Sequence, residues 1–217
     1  MNVLAVGAHW DDVELGCALT LRRLRERGAN LYGAVLTDSA TSMPGHERGA
    51  KTAAAEGLAA FQSLGIEPVS IGWLTCEQGF LQYDTRTMRL LERLAASRSV
   101  GVVFAHWPGD VNTDHRAAWE ISRAAFRHVP TLLCYASNGY TDGAAAFRPN
   151  LFMPFSAAEY EAKTGLLRLH ATEWEFRAER WRREIFDRES TWGSQCGADY
   201  AEGFMAMRMR DPWSELS

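Results

Sequence analysis

Two short segments of the 217-residue chain place histidine and aspartate close together. The segments are His9-Trp10-Asp11-Asp12-Val13-Glu14 and His106-Trp107-Pro108-Gly109-Asp110-Val111-Asn112-Thr113-Asp114-His115. Imidazole nitrogens and carboxylate oxygens are normal zinc ligands, and a catalytic zinc ion has three protein ligands and one open position. One segment alone would be expected to form a capped turn. Together, the two segments predict a site for a divalent metal ion.

The elements that must position these segments alternate between strands and helices. Apolar runs of strand length lie at 2–7, 31–36, 68–73, 100–105 and 131–135. Segments with helical spacing of apolar residues lie between or after them, at 15–27, 50–64, 85–96 and 114–128. Gly28 and Gly65 each follow one of these segments as a stop signal. The alternation predicts an α/β fold, a Rossmann-like three-layer sandwich with a mainly parallel sheet.

The last third of the sequence has a different character. Residues 137–154 are rich in Gly, Ala, Asn and Pro, and residues 157–188 have the pattern of two polar amphipathic helices. This part shows no clear second set of strands, so it is not expected to fold separately. We therefore predict one domain over 1–217, with an alternating core at 1–135 and an appended helical, pocket-forming region at 136–217.

Both histidine-containing segments directly follow a predicted strand. In an open parallel sheet, ligands bind outside the carboxyl ends of the strands, where such loops face each other. A dinucleotide-binding loop is the alternative for the first strand. However, Gly7 and Gly16 do not fit G-x-G-x-x-G, and adjacent aspartates would repel a pyrophosphate. These features disfavour a nucleotide-dependent oxidoreductase.

Composition excludes several classes of partner. The chain is 47% hydrophobic, which is enough for a sizeable core, and its net charge of −4 includes no basic stripe for nucleic acid. No apolar run approaches the roughly 18–20 residues that span a bilayer. The four cysteines are widely separated and are expected to be reduced. We expect a cytoplasmic protein with a small-molecule substrate. A homo-oligomer is possible, because some of the tryptophans could lie at a subunit interface.

The residues of the two segments also resemble a known family. His9-Trp10-Asp11-Asp12 followed by Glu14 resembles the H-P-D-D-x-E signature of the LmbE-like, or PIG-L-type, zinc-dependent N-deacetylases. Asn112-Thr113-Asp114-His115 is similar to their later H-x-D-H element, and Tyr200-Ala201-Glu202-Gly203-Phe204 resembles their C-terminal element. The resemblance covers nearly the whole chain and implies a single LmbE-like deacetylase domain.

The resemblance implies a role for each matching residue. His9, Asp12 and His115 would hold zinc or another divalent metal ion, and Asp11 would be the general base. Zinc lowers the pKa of water and polarises an amide carbonyl, while a carboxylate can pass the water's proton to the leaving amine. This chemistry is hydrolysis of an amide.

Two residues depart from the family pattern. Trp10 stands where proline is common and offers an aromatic face to a sugar ring. Asn112 stands where many members have histidine. Its amide could donate a hydrogen bond to the substrate, but it cannot transfer a proton at neutral pH. Either Asp11 serves as both base and acid, or His106 takes over the transfer.

Three further polar residues have both a functional and a structural interpretation. Asp114 is predicted to be a catalytic residue. The alternative is that it is the N-cap of the following helix. Arg48 could hold a substrate hydroxyl or phosphate, or be a solvated helix residue. Glu14 could orient a ligand histidine, or simply favour the first turn of a helix.

The function implied by the resemblance is removal of an N-acyl group, expected to be acetyl, from an amino sugar or glycosylated small molecule. One alternative is an amidase that cleaves a sugar-linked thiol conjugate. Another is a catalytically inactive, metal-binding relative with a ligand-binding role, which the asparagine at position 112 keeps open.

Overall fold

The structure is a computed structural model that describes residues 1–69, 76–138 and 146–210. Its strands are β1 (Asn2–Gly7), β2 (Asn30–Val35), β3 (Thr41–Met43), β4 (His46–Arg48), β5 (Ile66–Pro68), β6 (Val102–His106), β7 (Thr131–Tyr135), β8 (Leu151–Phe155) and β9 (Tyr200–Met209). Its helices are α1 (Asp12–Glu26), α2 (Ala50–Leu64), α3 (Thr85–Ser97), α4 (Thr113–Ala125), α5 (Ala157–Leu167), α6 (Ala171–Trp181) and α7 (Asp187–Gln195). A π-helical turn, Arg182–Phe186, joins α6 to α7.

The main sheet confirms the predicted α/β architecture. Its strand order is β5-β2-β1-β6-β7-β9-β8. The first five strands are parallel, and β9 runs antiparallel to both β7 and β8. The chain moves outward from β1 in one direction through β2 and in the other through β6. This reversal of strand order creates a crevice at the carboxyl ends of β1 and β6.

Helices cover both faces of the sheet, which explains the continuous apolar run of β1. Leu4 and Val6 belong to a core that includes Leu91 of α3 and Ile121 of α4. The intervening residues of β1 belong to a second core, with residues of α1 and α2. Alternate side chains of a strand point to opposite faces, so a central strand between two helical layers must be apolar throughout.

Local sequence signals set several boundaries as predicted. β1, α2 and β7 have the predicted bounds, and α2 ends at Gly65 in the left-handed conformation that favours glycine at a helix end. The strand predicted at 68–73 falls largely on residues 70–75, which lie outside the described residues. No helix in the described ranges is long and apolar enough to cross a membrane.

The C-terminal third contains the predicted helices and also two strands that the sequence analysis did not identify. β8 and β9 extend the sheet on the β7 side, and three helices rather than two lie between them. The strand β8 was hidden by its composition, since it contains Pro154 and follows a Gly- and Asn-rich stretch. Proline is tolerated there because β8 lies at the edge of the sheet.

A buried ionic cluster supports a break in α1. The backbone of Cys17 is not helical, and the N–H groups of Leu19 and Thr20 donate to the Glu202 carboxylate at 3.0 and 2.8 Å. Lys163 Nζ lies 2.9 Å from Glu202 Oε1 and 2.9 Å from Glu189 Oε1, and all three charged side chains are buried. Glu202 therefore caps the second half of α1 from the neighbouring sheet.

Replacing Lys163 with methionine is expected to destabilise the fold by about 3–5 kcal/mol, because Glu189 and Glu202 would lose their buried cationic partner. Urea unfolding followed by circular dichroism measures this change. Lys51→Met is the matched control, since Lys51 is exposed on α2 and should leave the free energy of unfolding nearly unchanged. Equal stability of the two variants would contradict the role assigned to this cluster.

Candidate metal centre

The structure brings the two histidine-containing segments together at the carboxyl ends of neighbouring strands. His9 lies in the loop after β1, and Asp12 is the first residue of α1. His115 lies in the first turn of α4, which begins after the loop that follows β6. Because β1 and β6 are hydrogen-bonded neighbours, the two loops meet at the crevice.

Three side chains converge there. His9 Nδ1 lies 3.1 Å from His115 Nε2, and Asp12 lies 3.3 Å from the former through Oδ2 and 3.2 Å from the latter through Oδ1. All three residues are buried, and their ligand atoms lie within 4.8 Å of one another. This is a compact set of two nitrogens and one carboxylate.

Two further carboxylates fix the imidazole rings from outside. Asp114 Oδ2 lies 3.0 Å from His9 Nε2, and Asp110 Oδ2 lies 2.9 Å from His115 Nδ1. In the neutral form of each imidazole, which is the form that binds a metal ion, these contacts assign the ring N–H to the outer nitrogen and leave a lone pair on the inner nitrogen. Two lone pairs at 3.1 Å, beside a carboxylate, repel one another unless a cation lies among them. The donor set fits a divalent metal ion.

The electrostatics of the cluster favour positive charge. Burial lowers the pKa of His9, but Asp12 and Asp114 outweigh burial and raise it to about 9. Burial also opposes the charge on His115, whose pKa is raised to about 10 by Asp12 and Asp110. Burial would raise the pKa of Asp12, but the three neighbouring histidines hold it well below its usual range. Protons and a metal ion therefore compete for the same two nitrogens.

Asp11 differs from its neighbour Asp12 in having an accessible side chain. It occupies the N-cap position of α1, where aspartate normally accepts a backbone N–H, but its carboxylate forms no capping hydrogen bond. The residue is partly exposed. A carboxylate is thus held by the backbone next to the cluster and is accessible to a ligand.

His106 is fully buried behind the cluster. Its Nε2 lies 3.1 Å from Asp12 Oδ2 and 3.0 Å from the backbone nitrogen of Ala8, and its ring stacks on His115 with centroids 4.0 Å apart. Burial, with the charge of His115, lowers the pKa of His106. These contacts favour an orienting role over the predicted proton transfer, which stays a prediction.

The helix cap at α4 is Asn112, so the alternative of Asp114 as the N-cap is wrong. The Asn112 side chain accepts from the backbone N–H groups of Asp114 and His115, at 2.8 and 3.3 Å. Asp114 instead accepts from the backbone nitrogens of Gly79 and Leu81 as well as facing His9. The substrate-binding role predicted for Asn112 would have to use its amide nitrogen, because its oxygen caps the helix.

Trp10 and Arg48 have packing partners that their sequence positions did not reveal. The Trp10 ring lies against Gly57 and makes an edge contact with Phe61, both on α2. Arg48 is buried, donates to the Ser39 carbonyl at 3.1 Å and pairs with Glu173. The alternative that Arg48 is a solvated helix residue is therefore wrong. Contact of Trp10 or Arg48 with the substrate stays a prediction.

Glu14 pairs with His170 rather than with a histidine of the candidate metal centre. Its Oε1 lies 3.5 Å from His170 Nε2, and both side chains are fully buried. Neither His9 nor His115 has a hydrogen bond or ion pair with Glu14 in the described residues, so the alternative that Glu14 orients one of these histidines is wrong. The negative charges of Glu14 and Asp11 outweigh burial and raise the pKa of His170.

Sequence reasoning missed two contributors to the cluster. Asp110 binds His115, and the Ser137 hydroxyl donates to Asp12 Oδ1 at 2.7 Å. The role of Asp110 could have been predicted from the sequence, because Asp110 lies only five residues before His115 in the same segment. The contact of Ser137 with Asp12 could not have been predicted from the sequence, because it depends on the pairing of β6 with β7.

Known proteins share both the sequence pattern and the fold. The family model described as PIG-L, GlcNAc-PI de-N-acetylase, matches residues 4–126. The uncharacterized deacetylase YaiS of Escherichia coli K12 is 25% identical over 177 residues, which are 78% of this chain and 90% of that protein.

Two solved structures show the breadth of this fold. An N,N'-diacetylchitobiose deacetylase from Pyrococcus horikoshii has a TM-score of 0.76 and 21% identity, over 100% of this chain and 88% of that chain. GalB, the 4-carboxy-2-hydroxymuconate hydratase from Pseudomonas putida KT2440, has a TM-score of 0.75 and 20% identity, over 96% and 97% of the two chains. At these identities the likeness shows the fold alone. The family match covers more than half of the sequence and includes both histidine-containing segments, and the chain belongs to the PIG-L family.

Proposed function

We propose that this chain is a metal-dependent hydrolase that removes an acetyl group from the nitrogen of an amino sugar or a glycosylated small molecule. Membership of a family described as a de-N-acetylase supports hydrolysis at an N-acetyl group. The observation that carries the proposal is the convergence of His9, Asp12 and His115 beside the accessible carboxylate of Asp11. Deacetylases among the structural neighbours, such as the N,N'-diacetylchitobiose deacetylase, support a sugar substrate.

His9, Asp12 and His115 would hold the metal ion, with zinc the first choice for two nitrogens and one carboxylate oxygen. Zinc at this position would polarise the acyl carbonyl and acidify a water molecule. Asp110 and Asp114 keep the two imidazoles in the orientation that a metal requires, by accepting their outer N–H groups.

Asp11 moves the proton in this proposal. Water adds its oxygen to the acyl carbon, and the Asp11 carboxylate accepts the water's proton. The carbon–nitrogen bond then breaks, and Asp11 returns the proton to the leaving nitrogen. The products are acetate and a free amine. One carboxylate can perform both transfers because its side chain has no capping hydrogen bond to give up.

His106→Gln tests whether a second group shares the proton transfer. If His106 only orients Asp12, this variant should show a modest loss of kcat with an unchanged pH optimum. If His106 protonates the leaving amine, the alkaline limb of the kcat profile should move. A pH–rate series on purified wild type and variant, with metal content measured in each, distinguishes the two results.

Two alternatives compete with this function, and the fold alone does not exclude them, since a hydratase shares it. The substrate could instead be a sugar-linked thiol conjugate, and the enzyme would then be an amidase that cleaves the conjugate's amide bond. The chain could also bind a metal and a ligand without turnover.

An acetate-release screen over N-acetylated monosaccharides, chitobiose derivatives and nucleotide sugars, with the protein loaded with zinc, tests the proposal. Acetate and free amine in equal amounts are expected from at least one class. Stoichiometric metal binding without acetate or other acyl release from any compound would favour the inactive relative instead.

A further inference from the structure

Phe80 is an exposed aromatic residue beside the candidate metal centre. Its side chain is 69% exposed, the largest value among the large hydrophobic residues that the structure describes. The next residue, Leu81, is buried in the main core. A phenylalanine this exposed gives up the stabilisation that burial of its ring would bring, so its position calls for an explanation.

The backbone around Phe80 is held in place on both sides. Asp114 accepts from Gly79 N at 2.6 Å and from Leu81 N at 3.0 Å, and Phe80 N donates to the Glu77 carbonyl at 3.2 Å. Asp38 Oδ1, after β2, also accepts from the Gln78 backbone at 3.1 Å. The exposed ring is therefore carried by an ordered turn rather than by a free loop end.

The same hydrogen bonds place Phe80 at the edge of the site. Asp114 Oδ2 binds both Gly79 N and His9 Nε2, so one carboxylate oxygen joins the turn to a candidate metal ligand. The turn therefore lies only one carboxylate away from His9, within reach of a group linked to a sugar whose acetamido group lies at the candidate metal centre. Tyr83, 48% exposed, is the other large apolar side chain exposed in this segment of the described chain.

The size of this surface favours a small molecule over a protein. Specific protein interfaces bury about 800 Å² on each partner, which two neighbouring side chains cannot supply. Aromatic rings in ligand sites bind apolar faces, and an aromatic pair adds to the energy of area burial.

We propose that Phe80 is a specificity-determining residue, which packs against an apolar or aromatic group linked to the amino sugar. This inference rests on the proposed function, because that function defines which end of the substrate lies at the metal. The enzyme should therefore prefer amino sugars with an aromatic aglycone over the free sugar.

The test compares N-acetylglucosamine with its phenyl β-glycoside. The ratio of their kcat/KM values should favour the glycoside by about five- to tenfold in the wild type and fall toward one in Phe80→Ala. Phe80→Trp should keep the preference. Met209→Ala is the matched control, since Met209 is an exposed apolar residue that pairs with Thr131 at the amino end of β7, away from the crevice.

A second readout does not depend on turnover. Calorimetry gives dissociation constants for the deacetylated pair, glucosamine and phenyl β-glucosaminide, and their ratio should change in the same way. A wild-type ratio near one, or an unchanged ratio in Phe80→Ala, would overturn the inference. A binding preference lost in Phe80→Ala, without acetate release by any variant, would support the inference and contradict the proposed function.

Discussion

Asp11→Asn is expected to retain the metal ion and to lose about 10²–10⁴-fold in kcat, the usual cost of removing a general base. The amide is nearly isosteric with the carboxylate, and asparagine is also a good N-cap residue, so α1 should remain intact. The amide of the variant side chain cannot accept the water's proton. Steady-state kinetics of acetate release, with elemental analysis of the same samples, gives both quantities.

Asp114→Asn provides a contrasting variant in the same site. Asp114 faces His9 Nε2 and accepts from two backbone N–H groups, so its amide counterpart should weaken metal affinity about 10–100-fold through misplacement of His9. Asp11→Asn should leave that affinity unchanged. Wild-type kcat in Asp11→Asn would place the base elsewhere.

His9→Ala, Asp12→Ala and His115→Ala are each expected to lose most of the bound metal ion and, with it, acetate release. Each variant removes one of three converging ligand atoms and leaves an incomplete coordination shell. Elemental analysis after dialysis against limiting zinc measures occupancy, and circular dichroism checks the fold.

His128→Ala is the control for these three variants, because His128 is exposed after α4 and has no place in the cluster. It should bind as much metal as the wild type. Full metal content in all three ligand variants would show that the converging side chains serve another purpose.

The sequence predicted the parts of the site that depend on strand order. Two polar loops after buried strands must meet at the crevice when those strands are neighbours, and β1 and β6 are. This rule brings the two histidine-containing loops together, whereas the choice of His9, Asp12 and His115 as ligands is implied by the resemblance to the deacetylase family. Apolar strand runs and glycine stop signals are local features, so the bounds of β1 and α2 also followed from sequence.

Features that depend on three-dimensional packing could not be predicted from the sequence. β8 and β9 lack strong strand signals and are defined by pairing with the sheet. Asn112 and Asp114 are both good capping residues, and Asn112 is the N-cap of α4. The Asp114 carboxylate contacts His9 instead, which the sequence does not show. The contact between Ser137 and Asp12 joins residues 125 positions apart.

Acetate release in the proposed function requires one metal ion held by His9, Asp12 and His115. The most direct measurement strips the protein with a chelator, adds zinc in sub-stoichiometric steps, and records bound metal and acetate release from an accepted N-acetylated sugar at each step. Activity should be absent without metal and rise in proportion to occupancy up to about one ion per chain. Acetate release that persists at full rate in the metal-free protein would show that the reaction does not need a metal ion.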